Sequence, residues 1–338
     1  MARISKGKME KMDAVADSRG VIRAAAMDQR GSLKKALAKE MGVEASEITP
    51  QQMSEFKTAV SKVLSPHASG ILLDPVYGLE ASRARAQETG LLLAYEESGY
   101  DNTEGGRIPI LLPDWTVRQL VSEGADCIKL LIYYSPFAEQ WVNDFKKSFV
   151  ERIGVECAHH DVPFFLEFVG YDVEGGSDPL SYARKKPEIV AASMREFSKD
   201  HYHVDVLKVE IPVDLKYTSG TASFQGESAA YERLEAIDLY REAAEAARKP
   251  FIYLSAGVSD EQFRESLEIA IEAGVQFSGV LCGRATWQDG IPVYARDGAA
   301  ALEDWLAERG VQNIEALNLI LKDAHSWRAF YGGAVEVG

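Results

Sequence analysis

The stretch Val204-Asp-Val-Leu-Lys-Val-Glu-Ile211 is mainly aliphatic, with only a few polar residues set among its valines and leucines. Short runs of this composition are typical of strands that are covered on both faces in a parallel sheet. Seven similar runs occur along the chain, and together they give the eight predicted strands: Val21–Met27, Gly70–Asp74, Leu91–Tyr95, Cys127–Tyr133, Pro163–Val169, Val204–Ile211, Phe251–Ser255 and Ser278–Cys282.

Segments with helical spacing and a polar face lie between these strands. Ser259 precedes two acidic residues and is expected to be an N-cap, and Pro187 is expected near the first turn of its helix. The predicted helices are Gln51–Leu64, Thr116–Glu123, Ala138–His159, Pro187–Ser198, Ser228–Ala247, Asp260–Ala273 and Asp297–Arg309. This alternation of strand and helix predicts an α/β protein.

The eight strands are spread along the chain without a Pro/Ser-rich linker or a shift in composition. This favours a single closed (β/α)8 TIM barrel over a doubly wound sheet. A dinucleotide-binding sheet usually has Gly-x-Gly-x-x-Gly after its first strand, whereas this chain has Asp28-Gln-Arg-Gly31 there. We expect one barrel domain over residues 1–338, with an N-terminal extension at 1–18 and a C-terminal helical cap at 310–338.

The chain has 338 residues, of which 52 are acidic and 37 basic, giving a net charge of −15. Such a surface repels nucleic acid and anionic lipid. The N-terminus lacks the apolar core of a signal peptide, and no apolar run reaches the roughly 18 residues needed to cross a bilayer. Cys127, Cys157 and Cys282 are far apart and are expected to be buried, inert thiols. We expect a cytoplasmic protein without nucleic-acid or membrane partners.

The active site of a barrel enzyme lies where the strands end and their following loops begin. Every predicted strand carries polar residues at or near that end. In strand order they are Asp28, Gln29 and Arg30; Asp74; Glu96 and Glu97; Lys129; Glu167; Lys208 and Glu210; Ser255 and Gly257; and Gly283 and Arg284.

Lys208 is the most informative of these residues. Strand alternation puts it on the same face as Glu210, between aliphatic neighbours. Burying an ammonium group there is costly unless the group is paired or loses its proton. A lysine with a lowered pKa is a nucleophile, so Lys208 is a candidate for covalent catalysis. A structural ion pair with Glu210 or Glu167 remains an alternative.

Lys129 and Glu167 are the other catalytic candidates. Two ammonium groups in one barrel mouth would lower each other's pKa, which activates a lysine. Glu167 has phenylalanines on both sides in the sequence, and burial would raise its pKa towards a range useful for acid–base catalysis. The alternative role for Glu167 is simple neutralisation of the two lysines.

Two glycine-containing turns, Ser255-Ala-Gly257 and Gly283-Arg284, follow the seventh and eighth strands, where barrels often bind phosphate. Arginine adds a fixed cation with bidentate geometry. His201 and His203 could form a zinc pair, but they precede the sixth strand and belong to the opposite end of the barrel. We therefore predict a phosphate site and no metal site.

Several segments that contain these residues resemble the class I tagatose 1,6-bisphosphate aldolases of the LacD type. The resemblance runs in order, with similar spacing, from about residue 18 to about residue 328. The matching segments are Ala26-Met-Asp-Gln-Arg-Gly31, Ile71-Leu-Leu-Asp-Pro75, Tyr77-Gly-Leu79, Leu91-Leu-Leu-Ala-Tyr-Glu96, Phe164-Phe-Leu-Glu167, Val206-Leu-Lys-Val-Glu210, Tyr253-Leu-Ser-Ala-Gly-Val258 and Gly279-Val-Leu-Cys-Gly-Arg-Ala-Thr-Trp287.

This resemblance implies a cofactor-free and metal-independent barrel enzyme of lactose and galactose catabolism. Such an enzyme forms a Schiff base with tagatose 1,6-bisphosphate, and with fructose 1,6-bisphosphate, and releases dihydroxyacetone phosphate and glyceraldehyde 3-phosphate. We also expect a homo-oligomer, either a dimer or a tetramer. The implied roles are Schiff-base lysine for Lys208, acid–base catalyst for Glu167, contacts around the reacting carbons for Lys129, Asp28 and Gln29, and phosphate binding for Ser255, Gly283 and Arg284. Independently of the resemblance, the turn after the seventh strand adds Gly257 to the expected phosphate site. Because an acidic protein that binds a bisphosphate must concentrate cations locally, Arg30 is a further expected cation.

Three alternatives remain open. A related aldolase group cleaves a sulfonated substrate, 6-deoxy-6-sulfofructose 1-phosphate, and the segments Glu174–Ser181 and Tyr217–Glu227 match the LacD pattern less well. These loops are the first places to expect a different distal-anion site. A non-catalytic sugar-phosphate sensor would keep Arg284 but would not need Lys208. A zinc-dependent class II aldolase would need histidines at strand ends, which the sequence lacks.

Overall fold

Eight parallel strands close into a barrel in the computed structural model, which describes residues 4–97, 106–174 and 178–331. Each strand pairs with the next in the chain, and the last pairs with the first. The (β/α)8 prediction and all eight predicted strands are confirmed. The strands are β1 Ile22–Ala26, β2 Gly70–Leu73, β3 Gly90–Ala94, β4 Cys127–Tyr133, β5 Phe164–Val169, β6 Val206–Glu210, β7 Phe251–Leu254 and β8 Gly279–Cys282.

Helices surround the barrel and extend it at both ends of the chain. The α-helices in the described ranges are α1 Lys6–Ala14, α2 Gly31–Met41, α3 Pro50–Leu64, α4 Leu79–Ala84, α5 Val117–Ser122, α6 Gln140–His159, α7 Pro179–Phe197, α8 Arg233–Glu245, α9 Asp260–Glu272, α10 Arg284–Trp287, α11 Ile291–Trp305 and α12 Val311–Ile320. Helix α11 is interrupted at Gly298, whose φ is 82°. Short 3₁₀ turns include Asp200–Tyr202 and Trp327–Tyr331, and Thr218–Ser219 pairs with Tyr231–Glu232.

The helices differ from the prediction at several points, including the absence of α4 from the predicted set and the start of α11 at Ile291 instead of Asp297. Helix α7 begins at Pro179, so Pro187 lies inside the helix instead of in its first turn. The helix continues through this proline, and Ile189, Val190 and Met194 beyond it are buried in the core. Helix α2 was missed, although Leu33 and Leu37 are spaced four apart and both are buried.

The barrel has an outer core beneath the helices and an inner core within the strands. The inner core is built from inward-facing strand residues such as Ala24, Phe165 and Ile252. Met12 of α1 and Trp327 near the end of the described chain belong to the same cluster. These two segments therefore plug the N-terminal end of the barrel, and the open end is the one where the strands finish.

A buried ion pair fixes this plug. Lys8 Nζ of α1 lies 2.7 Å from Asp205 Oδ2, directly before β6. The same carboxylate oxygen accepts a hydrogen bond from the Phe164 amide, so the pair is tied to two neighbouring strands. Because this end is filled by packed side chains and an ion pair, any substrate must enter from the opposite end.

Candidate active site

A cavity of about 590 Å³ opens at the C-terminal end of the barrel. All ten residues that the sequence predicted for the site line this one cavity, although they come from six different strand ends or their loops. They are Asp28, Gln29, Arg30, Lys129, Glu167, Lys208, Ser255, Gly257, Gly283 and Arg284. The described residues of the divergent segments 174–181 and 217–227 do not line it, and residues 175–177 lie outside the described ranges.

Strand register brings Lys208 and Glu167 together. The two residues are direct partners on β6 and β5, and neighbouring residues of a parallel pair project to the same side. Lys208 Nζ donates a hydrogen bond of 2.8 Å to Glu167 Oε2. Of the two ion pairs left open for Lys208, the one with Glu167 is therefore present. Glu210 instead accepts a hydrogen bond of 2.7 Å from the Gly170 amide.

The same oxygen of Glu167 also meets Lys129. Leu131 is opposite Glu167 in the register of β4 and β5, so Lys129 lies two residues earlier on the same face. Its Nζ lies 2.8 Å from Glu167 Oε2. One carboxylate oxygen is thus shared by two buried ammonium groups.

Lys129 is surrounded by acidic groups. Its Nζ donates hydrogen bonds of 2.7 Å to Asp28 Oδ2 and 2.7 Å to Glu96 Oε1, in addition to the contact with Glu167. Burial by itself lowers the pKa of Lys129, but the three carboxylates outweigh burial and raise this pKa well above its usual value. The expectation that a second lysine would lower it was wrong, because the carboxylates are closer and more numerous.

The expected rise in the pKa of Glu167 was also wrong. Burial raises this pKa, but the charges of Lys129 and Lys208 exceed that effect and the pKa is lowered. At Asp28, burial also raises the pKa, but the charges of Lys129 and Lys208 again exceed this effect, and the pKa is strongly lowered. Both side chains are therefore carboxylates across the neutral range.

Glu96 lines the cavity, but the sequence analysis gave it no role beyond its position at a strand end. Burial raises its pKa, and the opposing charges of Lys129 and Arg30 do not cancel that effect. Its second oxygen accepts a hydrogen bond of 3.0 Å from the Leu131 amide, which ties the end of β3 to β4. The available signal was its position directly after a predicted strand, but nothing local distinguished it from Glu97.

Arg30 and Gln29 extend the polar wall from the loop after β1. Arg30 Nη2 donates a 2.6 Å hydrogen bond to the Glu96 carbonyl oxygen. Arg30 Nε and Gln29 Oε1 are buried without a hydrogen-bond partner among the described residues. These atoms leave hydrogen-bonding capacity in side chains that line the cavity.

The turn after β7 packs directly against Arg284. Ala256 and Gly257 have φ values of 49° and 80°, so two consecutive residues adopt the left-handed conformation. A Cβ at Gly257 would lie 2.6 Å from Arg284 Cζ, so only glycine allows this approach. Within the described ranges Arg284 has no carboxylate partner, which leaves its charge available to an anion.

The remaining polar candidates lie elsewhere. His201 and His203 both lie shortly before β6, at the plugged end of the barrel. In the described part of the chain, no three His, Cys, Asp or Glu side chains are placed to hold a metal ion.

Cys127, Cys157 and Cys282 are buried, free thiols, as predicted. Among the described helices, none combines the length and apolar character needed to cross a membrane.

The fold and the cavity together define a (β/α)8 barrel with buried lysine and carboxylate side chains at the C-terminal ends of its strands. Its sequence matches the DeoC/LacD family aldolase over residues 22–289. The chain belongs to this family of aldolases, which are carbon–carbon lyases.

Curated relatives match nearly the whole chain. Tagatose 1,6-diphosphate aldolase 2 of Enterococcus faecalis is 49% identical over 331 residues, which cover 97% of this chain and 98% of the relative. Tagatose 1,6-diphosphate aldolase of Listeria monocytogenes is 44% identical over 339 residues, covering 100% of this chain and 98% of the relative. The Staphylococcus aureus enzyme of the same name is 44% identical over 328 residues, with coverage of 96% and 98%.

Solved structures support the fold at much lower identity. A fructose-bisphosphate aldolase from Plasmodium falciparum superposes with a TM-score of 0.68 at 12% identity, covering 96% of this chain and 97% of that one. An archaeal fructose 1,6-bisphosphate aldolase gives a TM-score of 0.54 at 15% identity, with coverage of 89% and 98%.

Because Lys129 contacts three carboxylates, we predict that Lys129→Met loses stability and that the size of this loss depends on pH. Removing one partner of a buried ion pair typically costs about 3–5 kcal/mol. Asp28 then loses its ion-pair partner, while Glu96 keeps only Arg30 and Glu167 keeps only Lys208. The pKa values of these carboxyl groups should rise in the folded state, so the folded variant binds extra protons as the pH falls. Urea unfolding should show the largest difference from the unmodified protein at pH 8 and a smaller one at pH 5. A loss of equal size at both pH values would contradict this electrostatic account.

Proposed function

We propose that this chain cleaves tagatose 1,6-bisphosphate, and also fructose 1,6-bisphosphate, to dihydroxyacetone phosphate and glyceraldehyde 3-phosphate through a Schiff base on Lys208. The observation that carries this proposal is the buried Lys208 amine held 2.8 Å from Glu167 at the base of a polar cavity. The names of relatives at 44–49% identity support the choice of substrate. We further propose that the enzyme acts in the cytoplasm as a homo-oligomer, a dimer or a tetramer.

The reaction begins with proton transfer between the paired side chains. Lys208 must lose a proton before it can attack, and Glu167 Oε2 is the acceptor within hydrogen-bond distance. The neutral amine adds to the ketose carbonyl carbon and forms a carbinolamine. Protonation of the carbinolamine hydroxyl by Glu167 lets it leave as water, and the nitrogen lone pair forms the iminium ion.

Cleavage uses the iminium ion as an electron sink. Glu167 takes the proton of the C4 hydroxyl, and the C3–C4 bond breaks as the aldehyde forms. The electron pair of that bond moves onto the iminium group and gives an enamine on Lys208. After glyceraldehyde 3-phosphate leaves, Glu167 returns the proton that it took from the C4 hydroxyl to C3 of the enamine, which restores the iminium ion. Water then hydrolyses the iminium ion to release dihydroxyacetone phosphate.

The other polar groups hold the substrate. Lys129 keeps its charge next to Glu167 and, with Asp28 and Gln29, meets the hydroxyl groups around the reacting carbons. A phosphate group is bound by Arg284 and by the Ser255, Gly257 and Gly283 backbone, and among the described residues no carboxylate forms an ion pair with Arg284. Arg30 adds a cation for the second anionic group. Such cations make the cavity locally attractive to anions although the net charge of the protein is −15.

Borohydride trapping tests the covalent step. Incubation with dihydroxyacetone phosphate and sodium borohydride should inactivate the enzyme irreversibly, because borohydride reduces an iminium ion to a stable amine. Peptide mass mapping should place the triose phosphate adduct on Lys208. An adduct on Lys129 would reverse the roles of the two lysines. Inhibition by EDTA without any adduct would exclude the Schiff-base mechanism, and binding of the sugar phosphate without any adduct or turnover would favour a sensor.

Competition between substrates tests the choice of ketose. We expect kcat/KM to be higher for tagatose 1,6-bisphosphate and fructose 1,6-bisphosphate than for 6-deoxy-6-sulfofructose 1-phosphate. A sulfonate carries one negative charge, whereas a phosphate carries about 1.5 to 2, and a cationic site gains more from the larger charge. A preference for the sulfonate of more than about tenfold, or about 1.4 kcal/mol, would overturn the bisphosphate assignment. Such a result would leave the proposed roles of Lys208 and Glu167 unchanged.

A further inference from the structure

Lys57 of helix α3 is a completely buried lysine that does not line the active-site cavity. Its Nζ lies 2.7 Å from Asp74 Oδ2 and donates hydrogen bonds of 2.6 Å to the Met27 carbonyl oxygen and 2.8 Å to the Gln29 carbonyl oxygen. Two of the three N–H donors of the ammonium group therefore bind backbone carbonyl oxygens, and the contact with Asp74 is an ion pair.

The two carbonyl groups lie on either side of Asp28. Lys57 therefore holds the backbone at both neighbours of a residue whose carboxylate lies 2.7 Å from Lys129. Gln29 follows directly and lines the cavity. The ammonium group of Lys57 fixes the segment that carries both side chains without reaching the cavity itself.

Asp74 gives this contact a rigid base. Its other oxygen accepts hydrogen bonds of 3.0 Å from the Val76 amide and 2.9 Å from the Tyr77 amide, so the turn after β2 holds the carboxylate in place. Both Lys57 and Asp74 have side chains that are 0% exposed. The pair thus connects the outer helix α3 and the end of β2 to the loop after β1.

Stability alone is a weak reason for such a pair. The desolvation of two buried charges often cancels their attraction, and well-packed apolar residues of similar volume can be equally stable. An apolar side chain could not hold two carbonyl groups at fixed positions. Burial raises the pKa of Asp28, and the charges of Lys129 and Lys208 lower it. The charge of Lys57 also lowers this pKa, by a smaller amount.

We propose that Lys57 is a positioning residue for catalysis: it fixes the Met27–Gln29 backbone so that Asp28 meets Lys129 and Gln29 faces the reacting carbons. This inference rests on the aldolase reaction proposed above. It assigns Lys57 no contact with the substrate, since the side chain is buried outside the cavity. Its effect on the reaction must therefore pass through the loop after β1.

The first experiment compares two lysine-to-methionine variants with tagatose 1,6-bisphosphate as substrate. Lys57→Met should lower kcat by at least about tenfold, because small misplacements of catalytic groups have large effects on rate. Lys8→Met is the matched control: Lys8 also forms a buried pair at 2.7 Å, but at the plugged end of the barrel. Its kcat should stay within about twofold of the unmodified enzyme. Both variants are assayed well below their thermal unfolding midpoints, so that a loss of kcat does not reflect unfolding. Equal kcat losses in the two variants would overturn the proposal.

A double-mutant cycle tests the route of the effect. In an Asp28→Asn background, Lys57→Met should lower kcat by less than about threefold, because the group that it positions is already altered. An undiminished effect in that background would overturn the proposal that Lys57 acts by positioning Asp28. If Lys57→Met does not fold, Asp74→Asn takes its place in the same cycle, and the same smaller effect is expected. Borohydride trapping of the unmodified enzyme separates failure of this inference from failure of the proposed reaction, since the trap does not depend on Lys57.

Discussion

A single carboxylate oxygen, Oε2 of Glu167, lies 2.8 Å from both Lys129 and Lys208. Burying two ammonium groups this close together would cost more without the shared anion. The strand register places all three side chains on the inner face of the barrel, so the contact follows from the pairing of β4, β5 and β6. The chemistry that we propose depends on the same oxygen, because it is the nearest proton acceptor to the Lys208 amine.

The surroundings give the two lysines different roles. Lys129 has two further carboxylates, those of Asp28 and Glu96, and therefore keeps its charge. For Lys208, the ion pair with Glu167 is the only one present among the described residues. One lysine is thus suited to hold charge beside the substrate, and the other to exchange a proton with Glu167. The plug at the opposite end of the barrel leaves the cavity as the route to both.

Strand positions and site membership could be predicted from the sequence because both depend on local pattern. Apolar runs locate the strands, and residues at their ends converge whenever the strands close into a barrel. The predicted directions of the pKa shifts of Lys129 and Glu167 were wrong, because these shifts depend on charges from strands that are far apart in the chain. Glu96 was not selected for the same reason: its neighbours Lys129 and Arg30 come from other strand ends. Pro187 was misplaced because the chain offers two prolines as possible helix starts, and α7 begins at the earlier one, Pro179, directly after Asp178.

The most direct test of the shared-carboxylate account is the turnover of Glu167→Gln. The amide keeps the size of the side chain but cannot accept the proton of Lys208 or of the substrate hydroxyl as a carboxylate does. We predict that kcat for tagatose 1,6-bisphosphate falls by at least about a hundredfold, in the range usual for loss of a general acid–base group, while substrate binding changes by less than about threefold. A variant that retains more than about a tenth of the original kcat would contradict the central role of Glu167.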